Sequence, residues 1–117
     1  AGGCCDSQPA APARELAGAE GVLVPDHLVL APLNQEARPA LDAALADLAP
    51  GVTELRVRPG VDSPELRAIT PSWPARVADA HLVTTDWVFR SALARTGAEL
   101  IGYRELRRAQ RTITGTA

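Results

Sequence analysis

With 117 residues, a hydrophobic content of 46% and a formal net charge of -2, the chain has the composition of an ordinary globular domain. It is long enough for one core but has only about half of the roughly 250 residues of a complete (β/α) barrel. The near-neutral charge offers no electrostatic basis for binding nucleic acid or an anionic membrane, and no run of about 18 apolar residues is present to span a bilayer. All twelve basic residues are arginine and alanine is abundant, which fits the coding bias of a GC-rich genome rather than a chemical requirement. No methionine occurs, so the sequence is expected to be a processed product, a trimmed one or a piece of a longer chain. Without a charged start followed by an apolar stretch, the expected location is cytoplasmic.

Residues 1–13 are rich in Gly, Ala and Pro and are expected to form a flexible leader, with Cys4 and Cys5 as incidental thiols. Residues 14–20 suit a short helix ending near Gly21, followed by two short extended pieces between Val22 and Leu30 around the polar turn Pro25-Asp26-His27. A helix capped by Asn34 and running to about Leu48 places Ala37, Leu41, Ala44, Leu45 and Leu48 on one face, with Pro39 in its real first turn. Pro50-Gly51 ends that unit. The strand Val52–Arg58 then alternates Thr53, Leu55 and Val57 on one face with Val52, Glu54, Arg56 and Arg58 on the other. Pro59-Gly60 turns the chain, and a helical turn from Pro64 to Ala68 follows, with Asp62 or Ser63 as cap and Glu65 completing a capping box with Asp62. A helix starts near Pro74 and fades by Ala80. A second one, capped by Thr85, runs from Asp86 to Arg95 and closes at Gly97. Ala98–Ile101 reads as a strand, Tyr103–Gln110 as a final helix, and residues 112–117 as a frayed tail. This alternation argues for a largely parallel sheet or a piece of a barrel spanning residues 14–111.

The inventory of chemical groups is thin. Asp26-His27 or Asp79 with His81 offers at most two metal ligands in one place, and neither histidine has a close His or Cys partner. No Gly-x-Ser-x-Gly elbow and no phosphate-binding glycine loop is present. Arg104, Arg107, Arg108 and Arg111 lie on one helix without interleaved aromatics and read as a solvated face. Trp73 and Trp87 are large aromatics able to stack on a sugar or fill an interface, although such residues more often serve a core.

The segment from Gly51 to Gly60, then Asp62-Ser-Pro-Glu-Leu-Arg-Ala-Ile69, then Trp73 with Arg76 and Asp79, and the closing Gly97-Ala-Glu-Leu-Ile-Gly-Tyr-Arg-Glu-Leu106 follow one another in a definite order. In that order and spacing, over roughly residues 20–110, the chain resembles the carboxyl-terminal part of the YdjC-like (ChbG/HpnK) carbohydrate deacetylases. The segment Gly21–His27 also looks like the family's preceding stretch. The resemblance implies a partial (β/α) barrel, about half of the full fold, and a metal-dependent hydrolase that removes the acetyl group from N-acetyl sugars of the chitooligosaccharide type. It also implies a divalent metal, Mg or Zn, that polarises the amide carbonyl and activates water. In the family the metal ligands lie in an amino-terminal half, in an Asp-Asp, a Gly-Leu-His and an Asp-x-His-x-His segment. None of the three occurs in this sequence.

A second departure lies at the strand end, where the family's histidine position is Arg58. Arginine stays protonated and cannot act as a base or ordinary metal ligand at neutral pH, although it can bind an acetate or an anionic intermediate. The expectation is therefore a deacetylase part that is inactive alone and binds no metal alone. Arg58 stands at the catalytic position, and Asp26, His27, Asp62 and Trp73 are the candidates for contact with an acetylated sugar. Its partner is the missing amino-terminal half or a second copy. Two other readings stay open: a non-catalytic binding or dimerisation module derived from that fold, and a small metalloenzyme using Asp26, His27 and His81.

Overall fold

A computed structural model describes residues 11–115. In chain order it contains α1 (Ala11–Ala19), β1 (His27–Leu30), α2 (Arg38–Ala46), β2 (Thr53–Arg56), α3 (Pro64–Ile69), α4 (Trp73–Thr84), α5 (Trp87–Arg95) and α6 (Tyr103–Thr114). The two strands pair in parallel, His27 with Thr53 through Leu30 with Arg56, and α2 makes the crossover between them. A single βαβ unit is thus surrounded by helices, and no helix among the described residues is long and apolar enough to cross a membrane.

The core sits between one face of the strand pair and helices α2, α4 and α5. Leu41 and Leu45 of α2 meet Ala31, Ala37, Leu82 and Phe89, with Leu55 and Val57 packed against them from the second strand. The alternation along β2 explains the choice of face: Leu55 and Val57 turn inward, while Glu54 and Arg56 form an ion pair on the other side at 2.6 Å. Tyr103 at the start of α6 donates its hydroxyl proton to Glu54. That hydrogen bond first, and Arg56 second, hold the Glu54 carboxyl below its usual range.

The expected partial (β/α) barrel is not what forms. The described chain is mostly helical and has one two-stranded sheet, whereas a barrel wall needs several adjacent strands. Ala98–Ile101, expected to be a strand, takes no regular structure. It lies across an open apolar cleft of about 420 Å³ from Thr53, Glu54 and Leu55, with Leu100 left exposed. Four residues between a left-handed Gly97 and Gly102, whose N–H is held by the Glu105 carboxylate, do not reach the edge of β2.

Smaller differences have local causes. The first helix begins at Ala11, inside the expected leader; residues 1–10, with Cys4 and Cys5, lie outside the described residues, as do residues 116–117 of the expected tail. Residues 22–26 are irregular, so the expected first extended piece is absent. The final helix continues to Thr114, and α4 runs from Trp73 to Thr84, past the expected end at Ala80. Helix α2 starts at Arg38 with Pro39 in its first turn. Asn34 does not cap it; the Asp79 carboxylate reaches across from α4 to accept the Ala37 N–H at 2.8 Å. Asp86 rather than Thr85 caps α5 by accepting from Phe89 N. That bond is the largest cause of its lowered pKa, and Arg38 pairs with the same carboxylate.

The turn into β2 depends on Gly51, whose φ is +109° and whose position a β-carbon would share with the Asp26 carboxylate, 2.5 Å from Oδ2. Asp26 Oδ2 there accepts the Val52 N–H at 2.8 Å. Gly51→Ala is expected to destabilise the fold by roughly 2 kcal/mol, from the strained backbone and the displaced carboxylate together. A urea midpoint unchanged from wild type would refute this.

Candidate functional site

At the carboxyl ends of β1 and β2, polar side chains from separate elements tie the departing chain together. Arg58, two residues beyond β2, donates from Nη1 to Ala31 O at 2.9 Å, tying the exit of one strand to the exit of the other. Pro59 and Gly60 then bring the chain against α4, where Gly60 N donates to Arg76 O at 2.9 Å. A β-carbon at Gly60 would meet Leu66 Cδ2 at 2.9 Å and Arg76 Cβ at 3.1 Å, so glycine permits this close approach.

Two residues of α4 hold the loop between β1 and α2. Arg76 is 7% exposed and donates from Nη2 to Leu33 O at 3.0 Å and Gln35 O at 3.2 Å. Asp79, 1% exposed, accepts from Ala37 N through Oδ1. Arg76 and Asp79 stand three residues apart and so project from the same side of the helix. Two further polar atoms of these side chains, Arg76 Nε and Asp79 Oδ2, are buried without a hydrogen-bond partner among the described residues. Helix α4 therefore clamps the loops that leave both strands: Gly60 after β2, and Leu33, Gln35 and Ala37 after β1.

Asp62 and Trp73 lie on the same side of the molecule, linked through Arg67. The Arg67 guanidinium donates to Asp62 through Nε at 2.8 Å and Nη2 at 2.9 Å, and its carbon lies 4.0 Å from the centre of the Trp73 ring. The bidentate hydrogen bonds keep the Asp62 carboxyl below its usual range and raise the guanidinium. Asp62 is thus engaged as the anion of an exposed pair, and one face of Trp73 carries a cation. Ser63 caps α3 by accepting from Leu66 N at 3.1 Å, leaving Asp62 outside the expected capping box.

Asp26 and His27 are elsewhere. Both lie at the amino end of β1, at the opposite end of the strand pair from Arg58. Asp26 supports the Gly51–Val52 turn, and His27 Nε2 is 3.3 Å from Pro50 O. Of the five residues singled out from the sequence, Asp62 and Trp73 meet through Arg67, Arg58 bonds to Ala31 O where the strands end, and Asp26 and His27 lie at the strands' other end. No group of three or more His, Cys, Asp or Glu side chains among the described residues is arranged to hold a metal ion. The available donors do not fit the divalent metal that the resemblance implies, and Arg58 places a fixed cation at the strand end.

Sequence reasoning missed Arg67 as the partner of both Asp62 and Trp73. The five-residue spacing from Asp62 was available as a signal, whereas the stacking on Trp73 depends on how α3 and α4 are placed. Arg76 and Asp79 drew notice only through the resemblance, since nothing in an apolar-periodic helix indicates that its two charged residues turn inward.

Fold and site together define a small helix-rich protein with one parallel βαβ unit whose polar residues gather at the strands' carboxyl ends. No family model, curated protein or solved structure matches the chain.

Proposed function

We propose that this chain is the carboxyl-terminal part of a metal-dependent carbohydrate deacetylase for N-acetyl sugars of the chitooligosaccharide type, inactive by itself. One observation carries the reading. Of the residues that carry the resemblance to the YdjC-like family, Gly60 bonds to Arg76, Arg76 and Asp79 hold the loop after β1, and Asp62 meets Trp73 through Arg67, while Arg58, which departs from the family's histidine, bonds to Ala31 O where the two strands end. Sites in α/β proteins are commonly built at that end of a parallel sheet. Trp73 offers an aromatic face for a sugar ring and Arg58 a cation for an acetate or a developing oxyanion. The metal and the proton-transfer groups belong to another part of the enzyme, so no hydrolytic step is assigned to this chain.

A non-catalytic binding module is the second reading, and a specific observation favours it. Arg58 is used internally on Ala31 O and Asp62 on Arg67, so both side chains already have structural work.

The test is a titration of the Trp87→Phe variant, in which Trp73 alone reports, with N-acetylated chitooligosaccharides. The expected result is a saturable change in Trp73 emission, absent with de-acetylated or unrelated sugars, and no release of acetate with added Mg or Zn. Emission that ignores acetylated sugars would sink the substrate assignment. Acetate release by this chain alone would overturn its reading as an incomplete enzyme.

A further inference from the structure

An open cleft of about 420 Å³ lies beside β2, toward the amino ends of the two strands, where Pro25 and Gly51 border it. Arg58, at the far end of the strand pair, is not part of its wall. The volume falls in the range of small-molecule sites, roughly 300–1,000 Å³. Separate elements supply a hydrocarbon wall: Leu45 of α2, Leu48 after it, Leu55 of β2, Leu93 of α5 and Leu106 of α6. Leu45 and Leu106 are buried, so the wall is held by the fold rather than by loose surface side chains.

The charged residues at this cleft are of one sign. Glu54 and Glu99 border it, and among the described residues no arginine or histidine does. Tyr103, on the cleft wall, donates its hydroxyl proton to Glu54 Oε2, which sets that carboxylate between β2 and α6. The same bond first, and Arg56 second, keep Glu54 ionised at neutral pH. Arg56 meets the other oxygen, Oε1, from outside the cleft, with its side chain 60% exposed, so water screens its charge. The Tyr103 oxygen still has a lone pair to offer. Carboxylate and phenol oxygen together are acceptors, and an ammonium, with three N–H donors and a positive charge, satisfies both.

We infer that this cleft is a binding site for a small amphipathic amine, its apolar body against the leucine wall and its ammonium at Glu54 and Tyr103. The inference stands apart from the deacetylase reading. Residues 98–101 form the open rim, with Leu100 81% exposed and Glu99 adding a second carboxylate. Glycine at both ends of this rim, Gly97 and Gly102, gives it the backbone freedom to close over a bound molecule. An acid of the same shape is rejected, because it would face two carboxylates and no cation. A neutral molecule of the same shape keeps the apolar contacts and loses the charged one.

Amide NMR titration of the full chain with phenylbutylamine tests the inference, with phenylbutanol and phenylbutyrate as the neutral and anionic probes of similar shape. The amine should bind saturably, with a dissociation constant of about 1 mM or below, and move the amides of Thr53, Glu54, Leu55 and residues 98–103. The alcohol should bind at least about fivefold more weakly and the carboxylate not measurably. Glu54→Gln should weaken the amine about tenfold and leave the alcohol within about twofold, which also shows that the cleft is intact. Arg56→Gln removes the competing cation without touching the wall and should tighten the amine at least about twofold, whereas an ion pair that merely held the fold would give the reverse. No saturable shift at these residues would overturn the inference, as would an alcohol or carboxylate that binds as tightly as the amine, or an amine indifferent to Glu54→Gln. Shifts of the same amides on raising the protein concentration alone would mean that a second copy fills the cleft, and would overturn it too.

Discussion

Arg76→Ala is expected to lower stability by about 3 kcal/mol, one of the two largest effects of any single substitution in the chain. The Arg76 side chain is buried and holds Leu33 O and Gln35 O with the same terminal nitrogen. Removing it leaves two loop carbonyls without their donor and a void beside Gly60, where α4 packs closely against the chain leaving β2. The loss should concentrate in residues 31–37, with faster hydrogen exchange and proteolysis there than in α5. Arg76→Lys is expected to recover less than half, since a strongly hydrated ammonium on a flexible stem is a poor replacement for a planar donor fixed between two carbonyls. Urea denaturation monitored by circular dichroism gives the magnitude, and hydrogen exchange by mass spectrometry gives the location. A stability within about 0.5 kcal/mol of wild type would mean that α4 does not clamp this loop.

Leu41→Ala is the second. Leu41 is 1% exposed and sits at the centre of the cluster formed by Ala31, Ala37, Leu45, Leu82 and Phe89. Truncating it removes three carbons from the middle of a small core, and its neighbours come from helices and a strand that have little freedom to collapse inward. A loss of about 3 kcal/mol follows, from lost transfer energy and the cavity left behind. A domain of this size commonly has a total stability of only 5–15 kcal/mol, about the value for small proteins generally. Among the described residues few apolar side chains are fully buried, so the variant should show a substantially lowered melting temperature and a visible unfolded population at room temperature. Leu16→Ala on the exposed side of α1 is the control and should change stability by less than about 0.5 kcal/mol. Equal effects at the two positions would mean that the core is not centred on Leu41.

The legible parts of the fold were those whose cause is local. The inward face of β2 followed from the alternation of Thr53, Leu55 and Val57 with charged neighbours, and the apolar stripe of α2 followed from the spacing of Ala37, Leu41 and Leu45. The stop at Gly51 and the short helix opening at Pro64 followed from glycine's access to positive φ and from Ser63 and Pro64 at a helix start. Caps were less legible. Thr85 and Asp86 are adjacent potential caps, and the one used is the one whose carboxylate also meets Arg38, a residue forty-eight positions away. For α2 the sequence offers Asn34, but the donor at Ala37 is taken by Asp79 from another helix. A residue type alone cannot reveal that arrangement.

The candidate site divides in the same way. Asp62 and Trp73 meet through Arg67 because the turn after β2 and the two helices beyond it follow in immediate succession. Asp26 and His27 were grouped with them by resemblance, yet they occupy the start of a strand whose far end carries the polar cluster, and four residues of extended chain separate the two ends. The expected strand at Ala98–Ile101 had suitable apolar residues but needed an edge within reach. Strand formation depends on a partner's N–H and C=O groups, and the cleft beside β2 withholds them.

By itself, the sequence determined the elements whose hydrogen bonds and apolar faces are satisfied within a few residues: the helices, the turns at Gly51 and Gly60, and the two-sided character of β2. Only the tertiary structure decided how many strands pair, which charged side chains turn inward, and whether Arg58 and Asp62 are free or engaged. Each of those depends on groups tens of residues apart meeting in space, and the balance of burial against desolvation that selects among such meetings is not encoded in any local pattern.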